Sequence, residues 1–153
     1  MTLSYPEVGA TAGTLPVGYR HIDRAARLGV DWESAQHEVM TWRVKERAGF
    51  TVERGRAGDT VTGELVVLHA GAVAEPVEVV YTVAEPNRHG FAYGTLIGHP
   101  LVGEELFLVE RRGDETWLHI RSFSRVSRSW LLLTPLLRIV QRVTHTRYLR
   151  ALS

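Results

Sequence analysis

Hydrophobic and polar residues alternate along most of the chain between residues 43 and 124, with the period of two that half-buried β-strands show. This pattern predicts six strands, over residues 44–54, 60–69, 77–84, 89–95, 104–111 and 115–124. Two short turn sequences, Pro86-Asn87 and Gly113-Asp114, are typical of hairpin connections. Because the strands follow one another with short turns, we expect an antiparallel meander.

The spacing changes to that of a helix before this region. Asp31 is a candidate N-cap, and an acidic residue at Glu33 favours the positive end of the helix dipole. Apolar residues then recur at helical spacing, which predicts a helix over residues 32–41 with one face toward the core. Those residues are Trp32, Ala35, Val39 and Trp42.

A long helix is predicted at the C-terminus, over residues 127–149, with an interruption at Thr134-Pro135 where Thr134 would be an N-cap and Pro135 the first helical residue. We expect its apolar stripe to face the core. That stripe consists of Leu136, Val140 and Val143, with Leu137 and Tyr148 beside it. The opposite face carries Arg138, Arg142 and His145 and is predicted to be solvated, or to dock a partner.

The remaining segment, at the N-terminus, has no sustained period. Residues 1–17 are predicted to be an extended arm, and residues 18–28 a first strand or a short helix. Residues 18–153 would then form one α+β domain, in which a curved antiparallel sheet wraps around the C-terminal helix. This is the arrangement of helix-grip, START-like proteins, whose sheet and helix often enclose an apolar cavity.

Composition narrows the functional classes. The chain has 153 residues, a formal charge of +1 and no cysteine, so disulfides and thiol chemistry are excluded. No apolar run is long enough to span a bilayer and no leader is evident, which predicts a cytoplasmic protein. Lys45 is the sole lysine among eighteen basic residues, a bias that suggests a GC-rich bacterial genome.

The densest irregular stretch lies between two predicted strands. It includes Tyr93-Gly94-Thr95-Leu96, Gly98-His99-Pro100 and Gly103-Glu104-Glu105, followed by Phe107. With this motif, and with Pro16-Val17-Gly18-Tyr19 earlier, the sequence resembles the family known as domain of unknown function 1990. The resemblance covers nearly the whole chain, although residues 28–32 depart from the family pattern. It supports the fold, and it implies no particular chemistry.

Pairing the last two strands about a two-residue turn at Gly113-Asp114 predicts which residues share a face, whereas a three-residue loop would shift the register by one and exchange the faces. One apolar face carries Phe107, Val109, Leu118 and Ile120, and Glu105 and Ser122 extend it toward the strand ends. Our leading hypothesis is a protein that binds a small apolar or amphipathic molecule between the sheet and the C-terminal helix. The predicted ligand-binding residues are Tyr93, Phe107, Val109, Leu118, Ile120, Ser122, Leu136 and Val140.

An enzyme on the same scaffold, a cyclase, isomerase or hydrolase, is the alternative. Glu105 at the edge of an apolar pocket would have a raised pKa and act as acid or base, with His99 assisting. Less active roles are also open, since Glu105 could pair with an arginine and His99 could cap backbone groups. Glu104 falls on the opposite face and is predicted to pair with Arg121.

The third hypothesis is an adaptor. After Glu115 the chain has no acidic residue but seven arginines, so Arg138 and Arg142 could dock an anionic partner or a membrane surface. The histidines and carboxylates lack metal-ligand spacing, and no phosphate-binding loop or nucleic-acid motif is present. No metal, cofactor or nucleic acid is therefore expected, and the oligomeric state stays open.

Overall fold

The computed structural model describes residues 2–152, which build a curved antiparallel sheet of seven strands. Its spatial order is β1-β7-β6-β5-β4-β3-β2, so every strand except β1 pairs with its sequence neighbour. The strands are β1 (Arg20–Arg27), β2 (Thr51–Arg54), β3 (Leu65–Ala70), β4 (Val73–Glu85), β5 (Arg88–Thr95), β6 (Leu101–Arg112) and β7 (Glu115–Val126). The predicted antiparallel meander is confirmed.

Three α-helices accompany the sheet: α1 (Trp32–Met40), α2 (Arg43–Arg47) and α3 (Thr134–Ala151), the last preceded by a 3-10 helix (Arg128–Leu133). Asp31 caps α1 as predicted, since its carboxylate accepts a hydrogen bond from the Ser34 amide at 2.8 Å. Residues of all three helices join one large apolar cluster with one face of the sheet. We call the face that carries Tyr93 and Phe107 the inner face.

The predicted strands over residues 44–54 and 60–69 differ most from the structure. Residues 44–54 form α2 and then β2, because the buried residues Val44, Lys45 and Ala48 follow helical rather than alternating spacing. Trp42 connects α1 to α2 with a left-handed backbone (φ 66°), an uncommon conformation for a bulky residue. In the predicted strand over residues 60–69, Thr60 is bonded instead to the Met40 carbonyl, and β3 begins only at Leu65.

The segment before β1 lies against the opposite, outer face. Leu3 bridges to Leu96, and Tyr5 packs edge-to-face on Phe123 at 5.6 Å between ring centroids. Glu104 holds this segment: its carboxylate accepts from the Tyr5 hydroxyl at 2.7 Å and from the Gly9 amide at 2.7 Å. The predicted Glu104–Arg121 pair is wrong, since Arg121 binds Asp23 at 3.0 Å.

Helix α3 is turned the other way from the prediction. Its buried residues are Gln141, His145, Tyr148 and Leu149, whereas Leu136, Val140 and Val143 are about half exposed. The expectation that His145 is solvated is therefore wrong, and Arg138 also reaches inward, donating to the Gln141 side chain at 2.8 Å. Thr134 does not cap α3 either, because its hydroxyl donates to the Leu131 carbonyl at 2.6 Å.

Candidate functional site

A cavity of about 460 Å³ lies between the inner face of the sheet and α3. Its apolar walls come from α3, from the 3-10 helix that precedes α3 and from Phe50, which follows α2. The residues of these walls are Phe50, Trp130, Leu133, Leu136, Leu137 and Val140. Its floor is polar and includes Lys45, Glu105, Ser122, Gln141, His145 and Tyr148. A space with one apolar end and one polar end matches the general character of small-molecule sites.

Lys45, on α2, is almost completely buried beside this floor. Its ammonium group donates to the hydroxyls of Tyr93 and Tyr148, the latter at 2.5 Å, and lies 3.4 Å from a Glu105 oxygen. The rings of Phe50, Tyr93, Phe107 and Tyr148 surround it, with centroids 4.4 to 4.9 Å away. Burial lowers the pKa of Lys45, although the negative charge of Glu105 opposes that shift.

Glu105 is the acidic centre of the floor. Its Oε1 accepts from the Tyr93 hydroxyl at 2.7 Å, and its Oε2 lies 2.7 Å from Nε2 of His145. Burial opposes ionisation of the carboxyl, but the charges of Lys45 and His145 outweigh it and lower the Glu105 pKa to about 2. The raised pKa expected for Glu105 is therefore wrong. The predicted strand register placed Glu105 correctly, but it gave no information about the cations that neighbouring helices bring to it.

His145 is held at both ring nitrogens. Nδ1 lies 2.8 Å from the backbone carbonyl of Gln141, one turn earlier on α3, and Nε2 faces Glu105. Both facing oxygens are acceptors when Glu105 is ionised, so this arrangement places a proton on each nitrogen. Lys45 and His145 thus contact the Glu105 carboxylate from two sides, and a second carboxylate, Glu75, lines the same cavity.

Two hydroxyls at the floor have unused hydrogen-bonding capacity. Ser122 is 2% exposed, and its Oγ has no hydrogen-bond partner among residues 2–152. Tyr148 accepts from Lys45, and no acceptor for its own proton is found within the same residues. Because a buried polar atom without a partner costs free energy, the free Ser122 hydroxyl suggests a group that enters the cavity.

His99 lies in the wall of the cavity but not on Glu105. Its Nδ1 accepts from the Leu101 amide at 2.9 Å, and its Nε2 lies 3.2 Å from a Glu75 oxygen. Because Nδ1 accepts this bond, the ring N–H at Nε2 is the group that faces Glu75. The sequence left two roles open for His99, acid–base assistance to Glu105 and hydrogen bonding to backbone groups. The structure shows the hydrogen bond to the backbone.

The other predicted ligand-binding residues separate into two groups. Tyr93, Ser122, Leu136 and Val140 line the cavity. Phe107, Val109, Leu118 and Ile120 share the inner face as the register predicted, but they are fully buried in the packed core and do not line the cavity. Val109 and Leu118 lie nearer the hairpin turn, whereas Phe107 packs edge-to-face on Tyr148 of α3 at 4.9 Å between ring centroids.

Sequence reasoning missed the residues that neutralise Glu105. His145 was assigned to the solvated face, and Gln141 and Lys45 were given no role at the site. One signal was present: Lys45 is the only lysine in a chain that otherwise uses arginine. A compact ammonium fits a ring of aromatic side chains and hydroxyls where a broad guanidinium would need more space.

The glycine-rich motif has a structural explanation as the β5–β6 hairpin. Gly94 leaves room for the Tyr5 ring, since a Cβ atom there would lie 2.2 Å from the Tyr5 hydroxyl oxygen. Gly103 similarly allows close contact with the Phe123 backbone. The Gly103 amide donates to the Thr95 hydroxyl at 3.0 Å. The motif thus binds the N-terminal segment on one face and directs Tyr93 and Glu105 to the other.

Comparison with known proteins agrees with these features. The family model described as domain of unknown function DUF1990 matches residues 4–151. The chain belongs to this family. A UPF0548 protein of Deinococcus radiodurans is 32% identical to this DUF1990 chain over 170 residues, which cover 97% of this chain and 85% of the relative.

Solved structures with little sequence identity share the fold. A hypothetical protein of Helicobacter pylori superimposes with a TM-score of 0.69 at 10% identity, covering 99% of the DUF1990 chain and 94% of its own. The protein Ara h 8.0201 gives a TM-score of 0.53 at 9% identity, covering 88% and 99% respectively. The predicted helix-grip fold is confirmed by these likenesses, which carry no conclusion about activity. Among residues 2–152, no helix combines the length and apolarity needed to cross a bilayer.

Proposed function

We propose that this DUF1990 protein binds a small amphipathic molecule in the cavity between the sheet and α3. The observation that carries the proposal is the Ser122 hydroxyl, which is buried at the cavity floor without a hydrogen-bond partner among the described residues. A bound molecule with an oxygen at that position would satisfy it, at a gain of about 0.5–1.5 kcal/mol for a neutral hydrogen bond.

The polar end of the molecule is expected to accept hydrogen bonds. Ser122 and Tyr148 both have a hydroxyl proton to donate, and His145 and Lys45 add positive charge behind them. Both oxygens of Glu105 are already used by Tyr93, Lys45 and His145. The free hydroxyl donors therefore favour an oxygen-rich end that accepts hydrogen bonds, such as a carboxylate, and the Glu75 carboxylate in the cavity lining acts beside Lys45.

The other end of the molecule would lie between the aliphatic side chains of α3 and the ring of Phe50. Leu137 and Val140 approach from the helix, and Trp130 and Leu133 approach from the 3-10 helix. These walls are mainly apolar, with the Trp130 indole N–H as a donor among the residues named, so they select for apolar surface and contribute about 25 cal/mol for each Å² that the ligand buries. A short aliphatic chain or a small ring system fits the cavity volume of about 460 Å³.

The enzymatic alternative with Glu105 and His99 loses support from this geometry. A carboxyl whose pKa is about 2 has no proton to give at neutral pH, and it is a weak base. The His99 ring, hydrogen-bonded to the Leu101 amide and Glu75, does not contact Glu105. Ligand binding needs none of these groups to titrate.

The test uses the anionic fluorophore anilinonaphthalene sulfonate and its displacement by decanoate. We expect saturable binding of one dye per chain. Ser122→Ala should weaken the affinity by roughly 2- to 10-fold, the value of one neutral hydrogen bond, while Ser129→Ala, on the exposed side of the 3-10 helix, should not.

A second pair of variants tests the location. Val140→Trp should fill the apolar end and prevent binding, whereas Val143→Trp provides a matched control, because Val143 is similarly exposed on α3 but does not line this cavity. Dye binding that is absent, or that responds to neither Ser122→Ala nor Val140→Trp, would overturn the proposal.

A further inference from the structure

The solvent side of α3 and of the 3-10 helix before it carries an unusual number of large aliphatic side chains. Leu132 is 99% exposed, and its neighbours in space and sequence are about half exposed. Leu131, Leu132, Leu136, Ile139, Val140 and Val143 together are called here the aliphatic ridge. Exposed apolar surface of this extent usually marks a contact surface.

Arginines flank the C-terminal end of the aliphatic ridge. A surface groove beside Val143 is lined by Arg47, Arg142, Arg147 and Arg150, and we call it the arginine groove. Arg47 is paired with Glu38 at 2.7 Å, but among residues 2–152 no carboxylate forms an ion pair with Arg142 or Arg147. The sequence explains this, since no acidic residue follows Glu115.

The charge of this surface decides what can cover it. A two-fold symmetric dimer on this surface either brings the arginines of two copies together, with no carboxylate from this segment between them, or pairs only the aliphatic ridges and leaves the arginine groove uncovered. An anionic phospholipid surface, in contrast, offers phosphates to the arginines and acyl chains to the leucines.

We propose that the aliphatic ridge and the arginine groove dock this protein on an anionic phospholipid bilayer. The N-terminal end of the surface, at Leu131 and Leu132, enters the boundary of the acyl chains. Arg142 and Arg147, two to four turns further along, then lie at the level of the lipid phosphates. An interfacial amphipathic helix has its apolar and basic residues on opposite faces, whereas here the apolar and basic parts follow one another along the 3-10 helix and α3.

The docking surface also borders the cavity. Leu136 and Val140 belong to the aliphatic ridge and line the cavity as well. Docking would therefore place the apolar end of the cavity next to the lipid phase. The inference goes beyond the proposed ligand binding and does not depend on it, because the ridge and the groove are surface features.

The experiment is flotation of the full chain with vesicles of phosphatidylcholine, with or without phosphatidylglycerol. We expect binding to the anionic vesicles alone, and weaker binding as salt is raised and the Debye length falls from about 10 Å at 0.1 M to about 3 Å at 1 M. Arg142→Glu and Arg147→Glu should each lower the affinity at least about 5-fold, the value of one basic residue at an anionic surface. Arg24→Glu, an exposed arginine on β1, is the matched control and should change nothing.

The apolar contribution is tested in the same way. Leu132→Glu and Ile139→Glu should lower vesicle binding at least about 10-fold, because each replaces an apolar side chain at the boundary of the acyl chains with a charge. Val17→Glu, also at a highly exposed site, should not. Circular dichroism shows whether each variant folds. Because the Leu132 side chain is almost fully exposed, Leu132→Glu should not affect folding.

Three outcomes would overturn the proposal. One is equal binding to neutral and anionic vesicles, and another is binding that none of the four docking-surface variants changes. The third is a dimer in light scattering that Leu132→Glu dissociates while vesicle binding is absent, which would assign the ridge to a second copy. The Ser122→Ala variant, which should bind the dye more weakly, should still float with the vesicles because Ser122 is buried away from the docking surface, so the two proposals fail separately.

Discussion

The inner face of the sheet has two halves that differ in what covers them. Near the β6–β7 turn, Val109 and Leu118 lie under α1 in a closely packed apolar core with Trp42 and Phe91. Toward the other end of the same strands, Glu105 and Ser122 lie under α3 beside a cavity. The strands run continuously through both halves. One half is therefore built for stability, and the other keeps polar groups and open space for binding.

Shortening a side chain in the closely packed apolar half should have the largest effect on the free energy of unfolding. Phe91 is fully buried between Trp42 and Phe107, so Phe91→Ala is expected to lower the free energy of unfolding by about 3–5 kcal/mol. The measurement is urea denaturation at neutral pH. Dye affinity of the folded fraction should stay at the wild-type value, and a loss of dye binding with little change in stability would contradict the division into two halves.

Removing the acidic centre of the polar half should have an effect of similar or slightly smaller size. Glu105→Gln leaves Lys45 and His145 buried without their counter-ion, which is expected to lower the free energy of unfolding by about 3–5 kcal/mol. The double variant Lys45→Met/Glu105→Leu should be less damaging than Glu105→Gln, since it removes charges of both signs. A single variant as stable as the wild type would show that the ionic contacts do not hold α2 and α3 in place.

Acid should weaken the polar half specifically. The Glu105 pKa is lowered from its ordinary value of 4.5 to about 2 in the folded chain. A carboxyl with a depressed pKa contributes stability that is present above pH 4.5 and is lost as pH falls toward 2. Urea denaturation along this range should show the decrease. In Glu105→Gln the free energy of unfolding should depend less on pH. An unchanged pH dependence would assign the acid sensitivity to other carboxylates such as Asp23. Burial opposes ionisation of Asp23, but His119 and Arg121 outweigh it and lower the Asp23 pKa.

The smallest effect is expected from removing the free hydroxyl. Ser122→Ala breaks no hydrogen bond among the described residues, so the free energy of unfolding without ligand should change by less than about 1 kcal/mol and should not fall. Its neighbour Ser124 provides the contrast, because it accepts a hydrogen bond from Gln141 at 3.1 Å and Ser124→Ala should cost about 1 kcal/mol. Thermal unfolding with and without decanoate measures both. A clear loss of stability in Ser122→Ala would show that Ser122 has a structural partner.

The hairpin illustrates what sequence reasoning could reach. The turn at Gly113-Asp114 sets the register of β6 and β7, and that register alone places Glu105 beside Ser122 and Phe107 beside Ile120. The order of strands and helices predicted the helix-grip fold, the glycine-rich motif predicted the family, and both are confirmed. Local rules were sufficient because a strand pair has only two faces and one turn to align them.

Helix α3 shows where the same reasoning failed. An apolar stripe usually faces the core, so Leu136 and Val140 were expected inside and His145 outside. In the structure His145 and Gln141 point to the sheet because the strands opposite them present Glu105 and Ser124, which need polar partners. Which side of a helix is buried depends on the side chains that the facing strands present. For His145 the partner, Glu105, lies forty residues earlier in the sequence.

The sequence by itself determined the antiparallel meander, the register of its last hairpin, the capped first helix and the family, because each depends on neighbouring residues or on a contiguous motif. The tertiary structure alone decided the charge state and the partners of the site. Lys45, Tyr93, Glu105, His145 and Tyr148 come from α2, two strands and α3, and they meet only when the chain folds. Their pKa shifts and the free Ser122 hydroxyl arise from burial, and burial is a property of the assembled fold rather than of any one segment.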